Sequence, residues 1–148
     1  MFDVRQVIPL VLAVLTLIPR TTLAKPVATD PEAVVQAQLD AYNAHDLAAF
    51  VAAYTEDVQL FEHPSKLLAS GSAQMRERYA ARLKDPILHA VIAKGIVMGN
   101  VVVDHEKVTA TLPEGRGLIE AIAIYEVQDG KIAKAWLIYG PRVLDPKP

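Results

Sequence analysis

Apolar residues first recur at helical spacing just past position 30. Val35, Leu39 and Tyr42 share one stripe with Gln38, following the i, i+3, i+4, i+7 pattern of a helix face turned inward. Pro31 suits a first helical turn and Asp30 can cap it, so a helix is predicted from Pro31 to about Tyr42. Asn43 to His45 break the pattern. Asp46 then caps a short second helix with Ala49, Phe50, Ala53 and Tyr54 inward, ended by Glu56-Asp57. Val58 to His63 reads as a strand stopped by Pro64, and Pro64 to Gly71 as a loop. Ser72 can cap a third helix running to about Lys84, with Met75, Tyr79 and Leu83 on one face.

From Ile87 the pattern changes to β-branched runs. Four strands are predicted, Ile87 to Met98, Val101 to Thr111, Leu118 to Gln128 and Lys131 to Tyr139, separated by Gly99-Asn100, Pro113 to Gly117 and Asp129-Gly130. Strands in series with tight turns pair antiparallel, and helices placed before strands indicate an α+β fold. Taken as a two-residue type I′ turn, Asp129-Gly130 pairs Gln128 with Lys131 and fixes the faces of the last hairpin. Glu120, Ile122, Ile124 and Glu126 then share one face with Ala133, Ala135, Leu137 and Tyr139; Ala121, Ala123, Tyr125, Lys134, Trp136 and Ile138 share the other. That second face is half apolar. It is expected to meet a partner subunit through Tyr125 and Trp136, giving a homodimer, because all three helices are needed to cover the first face.

Composition narrows the class. The chain has 148 residues, 52% of them hydrophobic, which suits one globular domain. Fifteen basic against 17 acidic residues leave a net charge of -2, so a nucleic-acid partner is not expected. Arg5, the apolar stretch Val7 to Ile18 and the small residues around Thr22-Leu23-Ala24 read as a signal peptide over 1–24 cleaved after Ala24. An uncleaved anchor would need about 18 apolar residues, more than this Pro9-containing stretch supplies before Arg20. The expectation is a periplasmic or secreted protein with no membrane attachment after cleavage: a polar lead-in at 25–30, one domain at 31–141 and a tail at 142–148. The chain has no cysteine, which leaves the compartment's redox state open and removes any lipid anchor at the cleavage point.

The order of elements resembles the nuclear transport factor 2-like superfamily, in particular its SnoaL-like and ketosteroid isomerase-like branch. The resemblance rests on Tyr42-Asn43-Ala44-His45-Asp46-Leu47, Tyr54-Thr55-Glu56-Asp57-Val58, Gly71-Ser72 with Met75-Arg76-Glu77-Arg78-Tyr79, and Asp129-Gly130-Lys131-Ile132. It implies a cone-shaped curved antiparallel sheet wrapped around three N-terminal helices, with an apolar pocket at the open end. It also marks departures. Ketosteroid isomerases place a tyrosine where Gln38 stands and an aspartate base where His63 precedes Pro64. Their second oxyanion donor falls at Ile122 or Ala123, so an intact isomerase site is not expected. Tyr79 matches a supporting tyrosine.

His63 and Glu120 are the candidate proton carriers: the first occupies the family's base position, on the same side of its strand as Gln59 and Phe61, and the second lies beside Ile122 and Tyr139 by hairpin parity. Both also have plain readings, a surface histidine and a solvated strand end. Gln38 and Tyr79 offer donors to a ligand oxygen or satisfy one another in the core, and Tyr42, Tyr54 and Tyr139 are pocket wall or core. Asp104-His105-Glu106 alternate across a strand, cannot converge, and read as a solvated cluster near a turn. Histidine spacing matches no metal motif, and there is no phosphate loop or serine elbow, so no cofactor or metal is expected. Two functions follow. One is a cavity binding a small hydrophobic molecule with cofactor-free acid/base isomerase or lyase chemistry; the other is a non-catalytic ligand-binding or dimeric association module.

Overall fold

The computed structural model describes residues 30–146; the proposed signal peptide and nearly all of the lead-in lie outside the described residues. The described elements are α1 (Pro31–Asn43), α2 (Leu47–Ala52), β1 (Tyr54–Glu62), β2 (Lys66–Ser70), α3 (Gly71–Arg82), β3 (His89–Met98), β4 (Val101–Leu112), β5 (Gly115–Gln128) and β6 (Lys131–Leu144). One curved, unclosed sheet runs in the order β2-β1-β6-β5-β4-β3. Its ladders are antiparallel except β1 with β6, which is parallel because helical and strand segments separate the two in the chain. The helices cover the concave face, giving the expected α+β cone.

Local chemistry explains the helix ends. Asp30 accepts from the Glu32 N–H and Asp46 from the Ala49 N–H, each relieving a donor that the first turn leaves unpaired. Asn43, at the end of α1, donates to the Ala90 carbonyl at 2.9 Å and accepts the Ala90 N–H at 2.8 Å. This reciprocal pair fixes α1 to the outermost strand.

Two stretches depart from the sequence reading. Residues 66–70 form a strand, because the chain reverses after Pro64 and pairs Lys66 with Glu62 and Ser70 with Gln59, burying Ala69. Ser70, rather than Ser72, is the N-cap position of α3. At the other end β6 continues beyond Tyr139 to Leu144. Gly140 and Pro141 sit at a bulge opposite Glu120, a place where proline costs no ladder hydrogen bond.

A second bulge decides which side chains face inward. Gln128 does pair with Lys131 across the Asp129-Gly130 turn, but Val127 pairs with Ile132 and Glu126 with Lys134, leaving Ala133 as an extra residue. The register therefore slips by one, and a one-residue slip reverses the faces of everything beyond it. Ala121, Ala123, Tyr125 and Val127 turn inward with Ala135 and Leu137, while Glu120, Ile122, Ile124 and Glu126 turn outward with Trp136. Tyr125 is thus a core residue and leaves the outer surface that had been expected to carry it beside Trp136.

Candidate functional site

Between the helices and the concave face lies a cavity of about 370 Å³, in the usual range for small-molecule sites. Helices α1 and α3 contribute Gln38, Tyr42, Tyr79 and Arg82, β1 contributes Tyr54, and β4, β5 and β6 contribute Glu106, Tyr125 and Tyr139. Leu39, Leu60, Val108, Ile119 and Leu137 supply the apolar wall. The hollow persists because rigid aromatic rings prop its floor. Phe50 packs on Tyr79 with ring centroids 4.4 Å apart and on Tyr54 at 5.3 Å, while Tyr42 meets Tyr79 edge-on.

Glu106 is the one carboxylate among the lining residues. Its place follows from β4 alternation: Val102, Asp104, Val108, Ala110 and Leu112 are buried, so Glu106 shares their inward face, while His105 and Lys107 point out. The Tyr125 hydroxyl donates to Glu106 Oε1 at 2.9 Å. Burial pushes the Glu106 carboxyl up to about 7, with Tyr125 and Arg82 opposing and Asp104 assisting. Its exposure is intermediate only because its open side is the cavity. Burial also raises the Tyr54, Tyr79 and Tyr125 hydroxyls well above the usual range, so these groups stay protonated and act as donors. Arg82 Nε donates to the Tyr42 hydroxyl at 3.1 Å. Chemically, the cavity offers a carboxyl poised to exchange a proton near neutrality, several neutral phenol donors and two guanidinium groups, that of Arg82 half-buried and that of Arg78 exposed.

Gln38, Tyr42, Tyr79 and Tyr139 line this cavity. Gln38 opposes the rise of the Tyr54 hydroxyl that burial causes, and it forms no closed hydrogen-bonded pair with Tyr79. His63 and Glu120 do not enter it. His63 is exposed, on the outer side that Phe61 also takes when it stacks on Trp136 at 5.9 Å. Its N–H donates to the Leu137 carbonyl, which ties the backbone and leaves the imidazole outside. Glu120 sits on the outer face because of the Ala133 bulge, with its Oε2 2.9 Å from His105 Nε2 and its side chain 40% exposed. Two of the three residues Asp104, His105 and Glu106 are therefore not a solvated cluster: Asp104 is buried and Glu106 faces the cavity. The signal for Glu106 was present in the outward polar series Lys107, Thr109 and Thr111, which makes Val108, Ala110, Leu112 and hence Glu106 the inward set. Among the described residues no three His, Asp or Glu side chains gather closely enough to hold a metal ion.

The same architecture recurs in solved structures. An uncharacterised cystatin-fold protein from Novosphingobium aromaticivorans is 24% identical and superposes with a TM-score of 0.68 over 74% of this chain and 98% of its own. SalBIII, an epoxide hydrolase/cyclase-like enzyme in pyran ring formation of the polyether salinomycin, is 19% identical, with a TM-score of 0.67 over 74% and 90%. A protein with a ketosteroid isomerase-like fold from Catenulispora acidiphila, bound to trimethylamine, is 14% identical, with a TM-score of 0.61 over 70% and 82%. At these identities the likeness is one of fold. No curated protein sequence matches the chain. The sequence of residues 35–135 matches the model of the SnoaL-like domain, and the chain belongs to that family.

Proposed function

We propose that the cavity binds a small hydrophobic molecule and that Glu106, in place of His63 and Glu120, is the proton carrier of a cofactor-free acid/base reaction of the isomerase or lyase type. The observation that carries this reading is the pairing of the cavity's carboxylate with the Tyr125 hydroxyl at 2.9 Å, inside a wall made mostly of apolar and phenolic side chains. A carboxyl titrating near 7 has the affinity to take a proton from an activated carbon and the acidity to return it. Tyr54, Tyr79 and Gln38 would stabilise charge developing on a substrate oxygen. That one neighbour in fold is named an epoxide hydrolase/cyclase-like enzyme is compatible with acid/base use of such a cavity.

The test is a probe whose reaction needs only a base. Nitrobenzisoxazole loses one carbon-bound proton and opens its ring, so its turnover should rise through pH 7 in the wild type and fall at least about tenfold in Glu106→Gln. Equal rates in the two proteins would reduce the cavity to a binding site, which is the rival reading of a non-catalytic module. The protein is further proposed to be exported and to dimerise through the outer sheet face around Trp136 and Phe61. Residues 1–24 support the first of these, and a purified exported protein beginning at Lys25 is the expected result of N-terminal sequencing.

A further inference from the structure

Of the two arginines in the lining, Arg82 is the half-buried one, and acid/base chemistry leaves it unused. It stands in the last turn of α3, and its Nε is occupied by the Tyr42 hydroxyl. Among the described residues no carboxylate lies within 4.0 Å of its guanidinium, and no other side-chain hydrogen bond engages it. A half-buried arginine ordinarily has an anionic partner, since removing its charge from water is costly without one. Two carboxylates lie within its electrostatic reach but beyond ion-pair distance: Asp85, whose oxygens accept from Ile87 and Thr111, and, across the cavity, Glu106. The guanidinium and the Glu106 carboxyl thus face one another across a hollow lined by Leu39, Leu60 and Ile119.

We propose that Arg82 forms an anion subsite and that the ligand of this cavity is an apolar monocarboxylate, its carboxylate on the free guanidinium N–H groups and its hydrocarbon part against the apolar wall. The proposal rests on the reading of the cavity as a ligand site. Tyr42 acts here as a positioning residue, because its hydroxyl fixes the plane of the guanidinium fork. One fork matches one carboxylate. A phosphate dianion would bring a second negative charge towards Glu106 and Asp104 with no second buried cation to receive it, since Arg78 stands exposed at the rim. The helix end alone would account for a cation in the last turn, but not for one turned into a cavity and tethered to a second helix.

Calorimetric titration with octanoate, octanol and inorganic phosphate separates the possibilities. Octanoate should bind the wild type about tenfold more tightly than octanol, the worth of one charge-assisted contact. Arg82→Gln should erase that preference while octanol affinity stays as it was, which also reports an intact cavity. Tyr42→Phe should weaken octanoate selectively by about threefold. Octanol binding as tightly as octanoate in the wild type would overturn the anion subsite and leave the hydrophobic cavity standing. So would an Arg82→Gln protein that keeps the preference. Phosphate displacing octanoate at equal concentration would overturn the carboxylate assignment. Failure of both octyl compounds to bind would bring down the cavity reading together with this one.

Discussion

The Tyr125 hydroxyl donates to Glu106 Oε1 across neighbouring strands at 2.9 Å, joining two groups that burial pushes in the same direction. The bond stabilises the ionised carboxylate and so restrains a rise that burial would carry further. Tyr125→Phe removes it without changing the ring. The Glu106 titration, followed by carbon-13 NMR of its carboxyl, should then move up from about 7 by roughly one pH unit, the worth of one hydrogen bond to a charged group. An unchanged or lower midpoint would show that the two groups are not coupled.

The same raised value sets a pH dependence of folding. Glu106 keeps its proton up to about pH 7 in the folded protein but releases it near the usual 4.5 when unfolded. Between those values the folded state binds more protons, so this group's contribution falls as pH rises and levels off above 7. Glu106→Gln lacks the penalty. Relative to the wild type, it should gain stability between pH 5 and pH 8 by on the order of 2 kcal/mol, less than the full shift implies because one side of the carboxyl opens on the cavity. Urea denaturation at the two pH values measures this, and parallel profiles would refute it.

The helix order, the four serial strands and the closing turn were legible in the sequence because each rests on local chemistry: caps at Asp30 and Asp46, β-branched runs, and Asp129-Gly130 in a tight turn. So were Gln38, Tyr42, Tyr79 and Tyr139 as lining residues, since helical stripes and the inward parity of β6 survive any register choice. The positions of the two candidate proton carriers, His63 and Glu120, were not. Counting pairs from the turn places Glu120 inward, and the single extra residue Ala133 reverses that count. Nothing in the letters around Ala133 announces a bulge. For Glu106 the opposite held: the alternation of β4 pointed it inward, but three adjacent polar residues look solvated until the neighbouring strand's face is known.

Asn43 offers a test of how the cavity stays open. Its side chain satisfies both the N–H and the carbonyl of Ala90, a buried strand residue on the cavity wall. Asn43→Ala leaves that pair without partners and detaches the end of α1 from β3. A loss of about 2–3 kcal/mol is expected in chemical denaturation. Asn43→Asp restores only the acceptor and should recover part of it. A loss below about 0.5 kcal/mol would mean that water replaces the side chain at this junction.

The outer sheet face carries the remaining prediction. Phe61 and Trp136 stack there nearly parallel, at an interplanar angle of 16°, and Ile124 pairs directly with Trp136. Strand β3 extends the apolar surface: Ile96 pairs with Val103 and Met98 with Val101, and these two β3 side chains are 64% and 75% exposed. Contiguous apolar surface on a sheet face that no described helix covers favours association with a second copy, and a stacked aromatic pair near its middle makes a natural anchor. Sedimentation velocity at micromolar concentration should therefore find a dimer. Ile124→Lys and Trp136→Glu, each placing a charge at the centre of that surface, should weaken association at least about tenfold, while Tyr125→Phe, on the opposite face, should leave it unchanged. A wild-type monomer, or a dimer indifferent to Ile124→Lys and Trp136→Glu, would move the interface elsewhere and leave the outer face as an exposed surface of the single chain.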